Sequence, residues 1–160
     1  MTDILRKVSK KLHNNNSSLV IAESCTGGWV AKQITDLAGS STIFDRGFVT
    51  YSNQAKQDML GVSGETLENF GAVSKEVAIE MVNGAIKNSL ADIALSITGV
   101  AGPDGGTIDK PVGMVCFGWL KRGAEPHAET VYFDGDRNSV REQSVEYSLN
   151  GVVKLIDESK

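Results

Sequence analysis

The chain has 160 residues, of which 41% are hydrophobic and 22% are charged. These proportions are typical of a soluble globular protein, and the length fits a single domain over residues 1–160. The net charge is −4, and no basic cluster is larger than a short pair such as Lys10-Lys11, which argues against a nucleic-acid partner. No apolar run approaches the roughly 20 residues that span a bilayer, and no signal-peptide core is present. We therefore expect a cytoplasmic protein without a membrane partner.

In chain order, apolar periodicity and turn residues predict alternating helices and strands. Ser52, Ser74 and Asp136 are the expected helix N-caps. The predicted helices cover about residues 3–13, 29–37, 53–60 and 65–70, then begin again at 74 and at 136, and the predicted strands cover 18–22, 47–51, 93–98, 115–120 and 129–133. Such alternation indicates an α/β fold with a largely parallel sheet covered by helices, and the closing hairpin implies one antiparallel strand.

Two cysteines and two histidines limit the chemistry that the chain can perform. Cys25 and Cys116 are far apart and form no C-x-x-C motif, so neither a disulfide framework nor a zinc knuckle is expected. His13 and His127 lie in polar segments away from any candidate nucleophile. A catalyst of the Ser-His-Asp or Cys-His type is therefore not expected.

The first candidate site segment, residues 22–28, follows the first predicted strand. Ligands of open α/β sheets gather at the carboxyl ends of strands. Here Ser24 and Cys25 precede Gly27 and Gly28, which open a helix whose free N–H groups suit a developing oxyanion. The alternative is a plain capped turn. Cys25 is a rival nucleophile, but no histidine or other base is close enough to generate its thiolate.

The second candidate segment supplies a base. A serine nucleophile needs one, and a lysine can serve if its amine is neutral near pH 7. Lys56 would lie in the first turn of a helix, where the helix dipole disfavours a positive charge, and burial would lower its pKa further. Tyr51 could hydrogen-bond the amine or relay a proton. The alternative is a solvated lysine beside a half-buried tyrosine.

The third candidate segment, Thr98 to Thr107, is rich in glycine and directly follows a predicted strand. Such a loop can present backbone N–H groups to an anion such as a phosphate. It matches neither the P-loop pattern nor the dinucleotide fingerprint. A flexible crossover loop is the alternative interpretation.

Taken together, these motifs resemble the C-terminal domain family of the competence-damage-inducible protein CinA. The resemblance runs from about Leu19 to Val153. It rests on several motifs in the same order and spacing: Ala22-Glu23-Ser24-Cys25-Thr26-Gly27-Gly28, Gly47-Phe48-Val49-Thr50-Tyr51-Ser52-Asn53 with Lys56, Gly61-Val62, Gly71-Ala72-Val73-Ser74, Thr98-Gly99-Val100-Ala101-Gly102-Pro103-Asp104-Gly105-Gly106 and Lys110-Pro111-Val112-Gly113.

The resemblance implies a three-layer α/β/α sandwich with a five-stranded mixed, mostly parallel sheet, and a homo-oligomer of two or more subunits. Stand-alone members of the family hydrolyse the carboxamide of nicotinamide mononucleotide to nicotinate mononucleotide and ammonia. They use a serine, a lysine and a tyrosine, which fall here on Ser24, Lys56 and Tyr51. No metal and no cofactor are implied.

From these expectations we assign a hypothetical site. Ser24 attacks the carboxamide, Lys56 is its base with Tyr51 assisting, and the backbone around Cys25, Thr26 and Gly27 holds the oxyanion. The residues expected to bind substrate are Asn53, Thr98, Gly99, Ala101, Gly102, Gly105, Gly106, Arg46 and Lys110, with Arg137 and Arg141 as alternative phosphate partners. A mononucleotide-binding paralogue without catalysis, or a Ser/Lys amidase of another substrate, remains the alternative function.

Overall fold

The computed structural model describes residues 1–159. These residues form six helices and five strands, with a short 3₁₀ turn at Ser40–Thr42. The helices are α1 (Thr2–Asn14), α2 (Trp29–Thr35), α3 (Asn53–Leu60), α4 (Gly64–Phe70), α5 (Lys75–Lys87) and α6 (Arg137–Glu158), and the strands are β1 (Leu19–Glu23), β2 (Phe44–Val49), β3 (Ile93–Gly99), β4 (Met114–Lys121) and β5 (His127–Tyr132).

The five strands form one mixed sheet in the order β2-β1-β3-β4-β5. β1 pairs in parallel with both β2 and β3, whereas β4 is antiparallel to both β3 and β5. Four strands therefore run in one direction and only β4 opposes them, which confirms the mostly parallel sheet and its single antiparallel strand. The carboxyl ends of β2, β1 and β3 consequently meet at one edge of the molecule.

Helices cover both faces of the sheet. Leu19 and Ile21 of β1 point to a core shared with α1, α2 and α6. The alternate residues Val20 and Ala22 point to the opposite core, shared with α3, α4 and α5. Because successive side chains of a strand point to opposite faces, a strand buried on both faces must be apolar throughout. This arrangement confirms the three-layer α/β/α sandwich.

Three predicted caps begin helices in the structure. Ser52 accepts a hydrogen bond from the Ala55 N–H at 3.0 Å, and Ser74 accepts one from the Val77 N–H at 3.2 Å. Asp136 begins α6 in the same way. These side chains satisfy backbone donors that a helix start leaves unpaired. The Ser52 cap matters most for the site because it fixes where α3, and with it Lys56, begins.

The second strand was predicted at residues 47–51 but lies at Phe44–Val49. It is an edge strand, with β1 as its only neighbour in the sheet. An edge strand tolerates charged side chains, so Asp45 and Arg46 belong to it although their polarity argued against a strand. The chain leaves the sheet before Tyr51, which places this side chain in a loop.

Of the helices within residues 1–159, none combines the length and the apolar character that a bilayer crossing requires. The longest, α6, packs one side against β3 and β4 through residues such as Val145 and Leu149. Its close approach to β4 depends on a glycine: a β-carbon at Gly151 would lie 2.1 Å from the Trp119 ring.

We predict that Gly151→Ala destabilises the protein. Helix propensity alone would make this change stabilising by about 0.5–1 kcal/mol, but the added methyl group overlaps the indole, and overpacking costs about 1–3 kcal/mol. The melting temperature should therefore fall. Asn150→Ala, an exposed position on the same helix, is the matched control and should leave it unchanged or higher. A Gly151→Ala protein that melts higher would contradict this packing.

Candidate active site

A cavity of about 320 Å³ opens at the carboxyl ends of β1 and β3, beside the start of α3. This volume lies at the lower end of the range for ligand pockets, about 300–1,000 Å³. All three candidate segments contribute to it. The lining residues are Ser24, Cys25, Tyr51, Asn53, Lys56, Ala72, Val73, Thr98, Gly99, Val100, Ala101, Gly102, Asp104, Gly105 and Arg137.

Ser24 and Lys56 are in contact at the bottom of this cavity. Ser24 directly follows β1, and its N–H donates to the Ile97 carbonyl of β3 at 2.9 Å, which anchors it to the sheet. The Lys56 amine lies 3.0 Å from Ser24 Oγ and 3.0 Å from the Thr50 carbonyl oxygen. A hydroxyl and an amine at this separation can exchange a proton directly.

Lys56 is only 2% exposed although it carries a long amine side chain. Burial lowers the pKa of this amine from its ordinary value of 10.5, because a charged ammonium loses its hydration there. Among the described residues, no carboxylate forms an ion pair with it. The environment of Lys56 therefore favours the neutral amine, which is the form that can act as a base.

Glu23 is a buried carboxylate that sequence analysis did not place in the site. Its two oxygens accept hydrogen bonds from the Val30 and Ala31 N–H groups at 3.0 and 3.1 Å. It thus satisfies the first free donors of α2 and places its charge at the positive end of the helix dipole. Because Glu23 precedes Ser24, this contact ties the helix start to the strand that carries the candidate nucleophile.

The loop between β1 and α2 offers backbone donors, but not all of those expected. The Gly27 N–H, which was predicted to help hold the oxyanion, donates to the Ser24 carbonyl at 3.0 Å and closes a turn. Within residues 1–159, the N–H groups of Cys25 and Thr26 have no backbone carbonyl partner. Of these two residues, Cys25 lines the cavity, whereas Thr26 is fully buried beside it.

Cys25 lines the same cavity but is a poor nucleophile. It is 7% exposed, and burial raises the pKa of its thiol to about 12. At neutral pH almost none of it is the thiolate that reacts. This supports the prediction that Ser24, rather than Cys25, is the nucleophile.

Tyr51 lines the cavity without touching the amine of Lys56. It is 62% exposed, and its hydroxyl oxygen accepts a hydrogen bond from Arg137 at 3.0 Å. The expected contact between Tyr51 and Lys56 is therefore not present, because the amine is occupied by Ser24 Oγ and the Thr50 carbonyl instead. Tyr51 and Arg137 together form one wall at the mouth of the cavity.

The glycine-rich loop lines the cavity with most of the residues predicted to bind substrate. Gly99, Ala101, Gly102 and Gly105 face it, as do Asn53 and Thr98. Gly102 has φ +81°, and a β-carbon there would lie 2.5 Å from Val112, so this close-packed turn requires glycine. Gly106 was also predicted to bind substrate, but it packs against Val112 and does not line the cavity.

Arg46 and Lys110 were predicted as phosphate partners, but neither of them lines the cavity. The Arg46 guanidinium donates to the carbonyl of Asn88, at the end of α5, at 3.0 Å. The Lys110 amine donates to the carbonyl of Phe70, the last residue of α4. Carbonyls at helix ends lack partners and carry the negative end of the dipole, so they attract these cations away from the cavity.

The two alternative arginines take different positions. Arg137 lines the cavity, where it donates to the Gly102 carbonyl at 2.7 Å and to Tyr51. Arg141, one helical turn further along α6, donates to the carbonyls of Cys25 and Thr26 at 3.0 and 3.1 Å and does not line the cavity. Arg137 is therefore the arginine that a ligand in this cavity can reach.

The sequence motifs assigned no individual role to four other lining residues, Ala72, Val73, Val100 and Asp104. Ala72 and Val73 belong to the loop between α4 and α5, which is far from the three candidate segments in sequence. The Thr98 hydroxyl donates to the Ala72 carbonyl at 2.8 Å and holds this loop against β3. Asp104 lies inside the glycine-rich loop itself, and its acidic side chain among four glycines is the sequence feature that could have marked it as a site residue.

A second cleft of about 310 Å³ lies between β5 and α6, away from Ser24. Its ionisable side chains pair with one another: Glu129 accepts hydrogen bonds from Tyr147 at 2.6 Å and pairs with His127 at 2.8 Å. It contains no serine, cysteine or threonine among its lining residues. In the part of the chain described here, three or more potential metal-binding side chains come together at no point.

The chain matches the family model described as the CinA C-terminal domain over residues 1–156. It belongs to the CinA C-terminal domain family. This confirms the resemblance inferred from the motifs.

Relatives in the CinA C-terminal domain family include the nicotinamide-nucleotide amidohydrolase PncC of Escherichia coli strain K12, which is 50% identical over 93% of this chain and 90% of its own. PncC of Enterobacter agglomerans is 53% identical over 83% of this chain and 81% of its own. Among solved structures, the competence/damage inducible protein CihA of Agrobacterium tumefaciens has a TM-score of 0.92 at 42% identity, with 96% of this chain and 93% of that one covered.

We predict that Lys56 makes stability depend on pH in a defined direction. At pH values between the lowered pKa of Lys56 and 10.5, the unfolded chain binds more protons than the folded one. The free energy of unfolding therefore increases as the pH rises. Lys56→Met lacks this gain. The difference in unfolding free energy, wild type minus variant, should therefore increase from neutral pH toward 10.5 in urea titrations.

The control for this experiment is Lys32→Met, which removes an exposed lysine paired with Asp36. Groups that titrate in both wild type and variant cancel in the difference. A wild-type minus Lys56→Met difference that stays level, or falls, as the pH rises would contradict a destabilised buried ammonium.

Proposed function

We propose that the protein hydrolyses the carboxamide of nicotinamide mononucleotide to nicotinate mononucleotide and ammonia, with Ser24 as the nucleophile and Lys56 as the base. The observation that carries this proposal is the 3.0 Å contact between the Lys56 amine and Ser24 Oγ inside a buried cavity. The relatives named nicotinamide-nucleotide amidohydrolase supply the substrate. Serine with a neutral lysine is an established pairing for acyl transfer.

In the first half of the reaction, the neutral Lys56 amine accepts the proton of the Ser24 hydroxyl. Ser24 Oγ forms a bond to the carboxamide carbon, and the electron pair of the C=O bond moves to oxygen. The N–H groups of Cys25 and Thr26 are the donors proposed for this oxyanion. When the C=O bond re-forms, the C–N bond breaks, and the nitrogen takes the proton from Lys56 and leaves as ammonia.

In the second half, water hydrolyses the resulting ester. Lys56, neutral again, accepts a proton from the water as its oxygen attacks the acyl carbon. Collapse of this intermediate expels Ser24 Oγ, which recovers a proton from Lys56. The carboxylic acid formed in this way loses its remaining proton to the solvent and leaves as the carboxylate, and the enzyme returns to its starting state without any metal or cofactor taking part in these steps.

The phosphate end of the substrate is proposed to lie toward Arg137. This side chain is the exposed cation of the cavity, since Lys56 is buried and occupied by Ser24. A guanidinium binds phosphate oxygens well, and Gly102 and Gly105 bring the backbone close to the same region. Asn53 and Thr98 complete the proposed contacts with the ring and ribose.

We further propose a single-domain, cytoplasmic enzyme that works as a homo-oligomer. Exposed apolar side chains such as Leu90, Ile108 and Tyr132 are of the kind that subunit contacts cover. The small-molecule substrate is its proposed partner in the reaction, with no nucleic acid or membrane involved.

The nucleophile is tested by a matched pair of variants, Ser24→Ala and Cys25→Ala, each of which removes the γ atom of a neighbouring side chain. Ammonia release from nicotinamide mononucleotide should fall more than about a thousandfold in the serine variant, because the acyl-enzyme cannot form. The cysteine variant should stay within about tenfold of wild type. Thermal unfolding of both variants verifies that they fold.

Full turnover by Ser24→Ala would rule out this mechanism. Wild-type protein that binds nicotinamide mononucleotide in calorimetry but releases no ammonia would instead indicate a binding paralogue. Faster release of ammonia from simple amides or free nicotinamide would indicate an amidase with another substrate.

The base is tested by the pH dependence of kcat/KM. Because burial lowers the pKa of Lys56, the neutral base becomes populated below 10.5, and the rate should rise with pH along a limb whose midpoint lies below that value. Ammonia release measured at a series of pH values gives this midpoint. A rate that is independent of pH, or one that rises only above 10.5, would exclude Lys56 as the base.

A further inference from the structure

Arg141 is the one arginine that contacts the loop carrying the proposed nucleophile. Its Nε donates to the Cys25 carbonyl at 3.0 Å, and its Nη2 donates to the Thr26 carbonyl at 3.1 Å. The guanidinium also lies over the Trp29 ring, 5.2 Å from its centroid. The side chain is thus fixed on three sides, and it reaches two successive peptide groups directly after Ser24.

Peptide geometry determines where the opposite sides of these peptide groups point. In a planar trans peptide, the C=O and the N–H of the next residue point in opposite directions. The carbonyl of Cys25 points at Arg141, so the N–H of Thr26 points away from it. The same reasoning directs the Gly27 N–H away from Arg141, and that N–H indeed meets the Ser24 carbonyl at 3.0 Å.

The contact between Gly27 and Ser24 extends the effect by one more peptide group. Since the Ser24 carbonyl accepts from Gly27, the Cys25 N–H in the same peptide group points the other way. A continuous chain of hydrogen bonds therefore runs from the Arg141 guanidinium through two peptides to the Cys25 N–H. Linked hydrogen bonds polarise one another, which strengthens the last donor of the chain.

We propose, resting on the proposed amide hydrolysis, that Arg141 is a positioning residue. Its two hydrogen bonds to the Cys25 and Thr26 carbonyls orient and polarise the N–H groups of the same two residues, which are the proposed donors to the oxyanion. Neither N–H has a backbone carbonyl partner among residues 1–159. Gly27, at φ +59°, permits the turn that links the two peptides. Arg141 itself does not line the cavity, and its hydrogen bonds go to Cys25 and Thr26 and not to Ser24.

The chain offers a matched control in Arg122. This arginine also donates to backbone carbonyls, those of Ala91, Ile86 and Ser89 at 2.9 to 3.1 Å, but at the far end of β4 from the cavity. The same substitution, Arg to Lys, at position 122 or 141 therefore replaces a guanidinium that binds several carbonyls by a single ammonium. Only the second change reaches the proposed oxyanion donors.

The experiment measures kcat and KM for ammonia release from nicotinamide mononucleotide, together with melting temperature, in wild type, Arg141→Lys, Arg141→Gln and Arg122→Lys. We expect both Arg141 variants to lose about 100-fold in kcat, as catalytic groups displaced by about 1 Å do. Their KM should change little because the oxyanion forms only in the transition state. Arg122→Lys should lower the melting temperature without changing kcat.

A second measurement separates positioning from general stability. In Arg141→Ala, guanidinium chloride at tens of millimolar should restore part of kcat, whereas potassium chloride at equal ionic strength should not. Unchanged kcat in a folded Arg141→Lys or Arg141→Gln protein, or equal losses of kcat in Arg122→Lys, would overturn the role of Arg141. Wild-type protein that releases no ammonia would overturn the proposed function itself, and the role of Arg141 with it.

Discussion

The site depends on one constraint: a lysine amine is kept in a buried position beside a serine hydroxyl, and no carboxylate of residues 1–159 pairs with it. Lys56 lies in α3, and Ser24 follows β1, so their 3.0 Å contact exists only while the helix start and the strand end keep their spacing. Burial of an uncompensated ammonium is costly, and the neutral amine relieves that cost. The fold therefore favours the protonation state that a base needs.

Most cations near the sheet ends are engaged by the backbone rather than by ligands. Arg46 and Lys110 donate to carbonyls at helix ends, and Arg141 donates to the loop after β1. The carbonyls of Asn88 and Phe70 lie at helix ends, where the helix itself supplies no hydrogen-bond donor. What remains available in the cavity is Arg137 at its mouth, while Lys56 is held at its bottom. Hydrogen bonds to backbone carbonyls thus determine which positively charged side chains a ligand in the cavity can contact.

The sequence predicted most of the fold, because strands buried on both faces must be apolar and helix caps have recognisable residues. It also predicted that Ser24, Lys56 and the glycine-rich loop would meet, since parallel strands end at one edge. It failed where contacts are distant in sequence. Nothing local indicates that Arg46 reaches the end of α5, that Tyr51 pairs with Arg137, or that residues 72–73 line the cavity.

Cys25 stands next to the proposed nucleophile, yet burial keeps its sulfur protonated, with a pKa of about 12. Alkylating agents and peroxides attack thiolates far faster than thiols, so the sulfur in this pocket is shielded from both. The Ser24 hydroxyl has no counterpart of the oxidation steps that a thiol undergoes. Neither side chain of this neighbouring pair is therefore easily oxidised at neutral pH.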